Sequence, residues 1–82
     1  MAAMKYYIVN SKHSDNVSET TTWRCHAIKS DKSYKELCRI YSSVERISEE
    51  VFLVLMWINN IEAPLPEVNS ILLKEEVTHW YF

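Results

Sequence analysis

Residues 51–58 read VFLVLMWI, eight apolar side chains in succession, and whether they form a helix or a strand decides the fold. Val, Ile, Phe and Trp favour sheets, and periodicity alone does not settle a continuous apolar run. The flanks argue for a helix. Ser48 followed by Glu49 and Glu50 has the form of an N-cap with acids in the first turn, where the helix dipole favours them. Ile61 continues the spacing, and Pro64 and Pro66 stop it because neither can donate an amide. A buried strand remains the alternative. A helix that is apolar on every side needs cover on more than one side. Whatever the sheet and the preceding helix leave bare is therefore where a second chain is expected.

Upstream, Ser33-x-x-Glu36 is a capping box, which predicts a helix starting at residue 34. Tyr34, Leu37, Ile40, Tyr41, Val44 and Ile47 recur at three and four, with Lys35, Glu36, Arg39 and Glu45 outside the stripe. The same phase runs on through Val51, Val54, Leu55, Ile58 and Ile61, so one long kinked helix or two helices fit; a chain of this length favours two. Residues 5–9 (KYYIV) alternate with apolar residues on both faces and predict an interior strand, and residues 11–19 predict a polar loop. Thr21, Trp23, Cys25 and Ala27 share one face of a second strand, the mate of the first in a hairpin.

Past the proline break, Pro66 can open a third helix, with Val68, Ile71 and Leu72 on one face; residues 70–76 fit a strand as well. The last six residues (VTHWYF) predict a strand beside the first. The expected fold is thus α+β, one domain over residues 1–82. It has an N-terminal β-hairpin, two to three helices on one face, and a C-terminal strand completing a small three-stranded sheet.

With 48% of its 82 residues apolar, the chain has material for one small core and does not have the composition of a disordered segment. It contains no glycine, so turns must rely on Asn, Asp and Ser, and phosphate-cradling or dinucleotide-binding loops are disfavoured. Two cysteines make no disulfide framework and residues 1–9 hold no signal segment, which predicts a reduced, cytoplasmic protein. The run at 51–58 is too short to cross a bilayer, which takes about 20 residues.

Candidate chemistry is sparse. His13-Ser14-Asp15 cannot converge into a nucleophilic relay as consecutive residues, and Cys25 and His26, as strand neighbours, point to opposite faces and cannot share an ion. No cofactor or metal site is expected. Trp57 is expected in the core and Trp23 on the apolar face of its strand. Charge is distributed unevenly: residues 1–44 carry +3 and residues 45–82 carry −5, together −2. Glu45, Glu49, Glu50, Glu75 and Glu76 are the candidate partner-binding acids, a surface for a basic protein or a nucleic-acid-binding groove, and His79 and Trp80 join them as a polar-aromatic pair. Direct nucleic-acid binding is disfavoured by a pI near 5.9.

Short, glycine-free, mildly acidic and without catalytic motifs, the chain resembles the small phage-encoded accessory proteins that inhibit host enzymes or defence complexes, anti-CRISPR proteins among them. The resemblance implies a non-enzymatic protein-binding module that blocks a partner's surface in the host cytoplasm, and assigns no residue a role. Two other classes stay open. One is a homodimeric structural or regulatory protein; the other is a small enzyme that brings His26, His79 or Cys38 beside a carboxylate.

Overall fold

The computed structural model describes residues 4–79. It is α+β: a four-stranded antiparallel sheet and two α-helices. In chain order these are β1 (Lys5–Asp15), β2 (Thr20–Ser30), α1 (Tyr34–Ile40), β3 (Ser43–Ile47), α2 (Glu49–Ile58) and β4 (Ser70–His79), with a single 3₁₀ turn at Leu65–Glu67. The sheet order is β3-β1-β2-β4, so β1 is interior, as its two apolar faces require.

The sheet has four strands where three were expected, because residues 43–47 leave the helical phase and pair with β1. Local chemistry explains the switch. Ser42 and Ser43 are weak helix formers, and Asn10 of β1 holds both: its carbonyl accepts from the Ser42 amide at 2.8 Å and its Nδ2 donates to Ser43 Oγ at 2.8 Å. Once extended, Val44 and Ile47 point to opposite faces instead of sharing one. With β3 occupying the free side of β1, the last strand pairs with β2 instead of with β1. Residues 80–82 of the expected final strand lie outside the described residues.

The polar stretch at 11–19 also differs from the expected loop. The ladder between β1 and β2 continues without interruption to Asp15 opposite Thr20, leaving only residues 16–19 as the turn. Here the β1 side chains from Lys12 to Asp15 are exposed, while Thr21 on β2 is buried, so on β1 polarity reflects the lack of cover and not the lack of a strand. Residues 66–68 form no third α-helix; the 3₁₀ turn ends at Glu67 and β4 begins at Ser70.

The register places the helices on opposite faces of the sheet, not on one. Tyr7 pairs with Ile28 and Val9 with Val44, so these four share a face, and they pack with Leu37 and Tyr41 from and beside α1. Tyr6 pairs with Ile47, and Ala27 with Ile71, on the other face; these pack with Phe52 and Met56 of α2 and with Val68. The Tyr6 and Phe52 rings lie 5.0 Å apart, tilted by 44°. Each helix is capped as its sequence predicts. Ser33 Oγ accepts from the Glu36 amide at 3.3 Å while Glu36 Oε1 accepts from the Ser33 amide at 3.4 Å, and Ser48 Oγ accepts from the Val51 amide at 3.2 Å.

Candidate functional site

The helix α2 is built as expected from residues 51–58, but it is turned differently. Phe52 and Met56 are buried and Leu55 half-buried against the sheet. At about 100° per residue, Val54 falls on the side opposite the midpoint of Phe52 and Met56. Of the residues that continue the phase of the upstream stripe, Val51, Val54 and Ile58 are therefore exposed, together with Leu53 and Trp57, while Leu55 and Ile61 are half-buried. Trp57 was expected in the core and is 80% exposed. The phase is lost at β3, whose five residues run as a strand and reset the rotation of α2 relative to α1.

With α1 on the far face of the sheet, nothing among the described residues covers the outer side of α2. Five apolar side chains exposed by 43% at Val51 to 80% at Trp57 leave on the order of 500–600 Å² of apolar surface at ordinary side-chain areas, the upper end of the largest patch found on monomers. Beside them runs an open groove of about 530 Å³ lined by Leu53, Val54, Trp57, Ile61, Pro64 and Leu65 among others. The chain turns from α2 into this groove through a Schellman closure: the Ile61 amide donates to the Met56 carbonyl at 3.0 Å and the Asn60 amide to the Trp57 carbonyl at 3.1 Å. Asn60 takes the left-handed conformation, φ 56°, in a chain that has no glycine to supply it.

The candidate acids divide into two groups. Glu45 lies on β3, and Glu49 and Glu50 follow within five residues in the first turn of α2, all exposed. Glu49 is close enough to Tyr6 that its charge adds to the effect of burial in raising the Tyr6 phenol above its ordinary value. Glu75 and Glu76 sit on β4, the opposite edge of the sheet, about 14 Å away across three strand spacings. They point to opposite faces, and each has a cation nearby: Arg24 Nε donates to Glu75 Oε2 at 2.9 Å, and Lys74 Nζ lies 3.9 Å from Glu76 Oε2. The five acids thus form no single patch. His79 pairs with Thr20 at the far end of β4, away from the α2 acids, and Trp80 lies outside the described residues.

The groups considered for catalysis are also dispersed. His26 lies opposite Val9 and Leu72, six residues along β2 from the partner of His79, which is about 20 Å. Cys38 is exposed on α1, and its sulfur, as acceptor from the Tyr34 hydroxyl, raises that phenol's pKa. Cys25 lines a shallow hollow of about 310 Å³ with Asn10, Trp23, Lys74 and Glu76; Trp23 is exposed there, with Lys12 Nζ 5.4 Å from its ring. Among the described residues no group of three His, Cys, Asp or Glu side chains could hold a metal ion, and no helix is long and apolar enough to cross a membrane.

Compared with protein-family models, curated proteins and solved structures, the chain matches none.

Among the described residues, the outer side of α2 has the most distinctive surface chemistry. Its signal is present in the sequence. One stripe of a two-turn helix needs three or four apolar residues, and residues 51–58 supply eight, so half of them have no place in a single interface with the sheet.

Proposed function

We propose that the chain is a small non-enzymatic protein-binding module that acts by covering a partner's surface, with the outer side of α2 as its binding face. The observation that carries this is the exposure of Trp57 within a contiguous apolar strip bordered by a groove. A large aromatic beside a concavity is the usual composition of an energetic hot spot, and an exposed patch of this size on a small protein is a binding surface more often than an accident. Blocking, the mode of the phage-encoded inhibitors the sequence resembles, needs only such a face and no catalytic group. The acids Glu49 and Glu50 at one end of the strip give it a polar rim suited to a basic partner surface.

The test is capture of a partner from host extract by the tagged chain, comparing Leu53→Glu and Trp57→Glu with Glu75→Lys and Glu76→Lys. The proposal requires that the first pair abolish capture and the second leave it intact. Capture unaffected by Trp57→Glu would remove α2 as the binding face.

A further inference from the structure

The apolar strip of α2 is bordered by one sign of charge at both ends. Glu49 and Glu50 occupy its first turn, and at about 100° per residue Glu50 falls on the outer side with Val54 and Trp57. At the other end, Glu62 stands between Ile61 and Ala63, both of which line the groove, and is itself exposed. From residue 48 to residue 73 the chain carries four glutamates and no Lys or Arg. Lys29, Arg46 and Lys74 belong to other elements, β2, β3 and β4. The Lys29 ammonium donates to the carbonyls of Leu65 at 3.1 Å and Pro66 at 2.9 Å, so one positive charge lies beyond the groove, in a segment that carries two glutamates, Glu62 and Glu67, and stays net acidic. Arg46 pairs with Tyr7 and so belongs to the α1 face; Lys74 lies beside Glu76 on β4.

Resting on α2 as the binding face, we infer that its occupant is an amphipathic helix of another protein, with an apolar stripe carrying Lys or Arg at both ends. The dimensions suit helix-in-groove recognition. The ten residues of α2 make a strip about 15 Å long, which matches anchors spaced at i, i+3 or i+4, and i+7 on a docked helix. Charge then selects among helices that fit. A second copy of this chain is the natural rival, but the strip is acidic at both ends. Two-fold arrangements that lay one strip along the other bring acid against acid, whether the helices run antiparallel or with like ends together. Apolar burial supplies affinity to any of these partners, whereas like-charge contact penalises the second copy and opposite charge favours the basic helix.

The experiment titrates the full chain with two designed peptides that share one leucine stripe, the first flanked by lysines and the second by glutamates, followed by amide and indole NMR shifts. The lysine-flanked helix is expected to bind at least about tenfold more tightly. That margin should shrink at about 1 M salt, where the screening length falls to about 3 Å. Shifts should map to Leu53, Val54 and Trp57, disappear in Trp57→Glu and in Ile58→Glu, and change preference in the triple variant Glu49→Lys, Glu50→Lys, Glu62→Lys. The chain alone should sediment as a monomer. Equal binding of both peptides overturns the inference, and so does a dimer that Trp57→Glu dissolves, although the latter keeps α2 as a binding face. Binding of neither peptide also overturns it. In that case partner capture that still depends on Trp57 preserves the α2 face, and capture that ignores Trp57 removes both.

Discussion

Arg24 Nε donates to Glu75 Oε2 at 2.9 Å, and the two residues are direct cross-strand partners of β2 and β4. The pair sits just past an irregularity in the ladder, where the register shifts between Cys25 and His26 and one residue of β4, Leu73, is left without an opposite number. A bulge of this kind bends the strand and increases its twist. The ion pair lies one residue beyond the point where regular pairing resumes at Cys25 and Lys74.

Its energetic contribution is nevertheless small. The side chains are 55% and 40% exposed, and exposed ion pairs contribute about 0.2–1 kcal/mol. Arg24→Ala and Glu75→Gln should each lower stability by less than about 1 kcal/mol, with a coupling in the double-mutant cycle that fades as salt is added. Urea unfolding of the four proteins measures this, and a salt-independent coupling of several kcal/mol would show that the pair is far better shielded than its exposure indicates.

Phe52 and Trp57 test the orientation of α2. Phe52 is fully buried between the helix and the sheet, and Trp57 is 80% exposed. Phe52→Ala should cost about 3–5 kcal/mol through lost burial and the cavity left behind. Against roughly 4–12 kcal/mol of total stability for a chain of this length, that removes between about a quarter and all of the margin. Trp57→Ala should stay within about 0.5 kcal/mol. Denaturation midpoints in the reverse order would mean that α2 is rotated, with its tryptophan inward.

The same two residues show what the sequence discloses and what it withholds. Both helix starts were legible, because Ser33-x-x-Glu36 and Ser48-Glu49-Glu50 act through local hydrogen bonds that need no tertiary context. The first strand was recognised as interior because both of its faces are apolar. The rotation of α2 was not legible, since eight consecutive apolar residues fit any rotation and the choice falls to the sheet. Nor was β3, because Val44 and Ile47 suit a helical stripe as well as a strand; only contact with Asn10 and the open edge of β1, more than thirty residues earlier in sequence, draws them out of the helix. The candidate acids do not make one surface. Strand order, a non-local property, sends Glu45 and Glu75 to opposite edges.

The absence of glycine has a measurable cost at two turns. Glu19 closes the β1–β2 hairpin at φ 54° and Asn60 follows α2 at φ 56°. A left-handed conformation costs an L-residue roughly 1–2 kcal/mol, and asparagine tolerates it better than glutamate because its short side chain can bond locally. Asparagine at position 60 fits the expectation for a glycine-free chain; glutamate at position 19 does not. Glu19→Gly should therefore raise stability by about 0.5–1 kcal/mol, after allowing for the greater entropy glycine gives the unfolded chain. Asn60→Gly should gain less. The check is thermal unfolding of the two variants side by side, and a destabilised Glu19→Gly would mean that the turn carries no strain.

At the tip of the same hairpin, the backbone amide of Val17 donates to Asp15 Oδ1 at 2.9 Å, closing an Asx turn. That bond, helped by the Ser18 hydroxyl, holds the Asp15 carboxyl below its ordinary value. A carboxylate whose folded pKa is depressed contributes stability that is complete above its unfolded value, about 3.9 for aspartate, and is lost as pH falls through the folded value. Asp15→Ala removes both the acceptor and this dependence. Wild type should therefore exceed the variant in stability at neutral pH by a margin that narrows below about pH 4, and Asp15 should titrate below the usual aspartate range in a carboxyl carbon NMR titration. Because the turn lies at the exposed end of the β1–β2 ladder, the loss should be local. Amides of residues 16–20 should gain exchange rate in acid before those near Val9 and Ala27, which lie within the two buried clusters. An Asp15 that titrates at or above the ordinary value would show that the Asx bond does not persist in solution, leaving residues 16–19 held by the flanking strands and the hydroxyl contact between Ser18 and Thr20 at 2.8 Å.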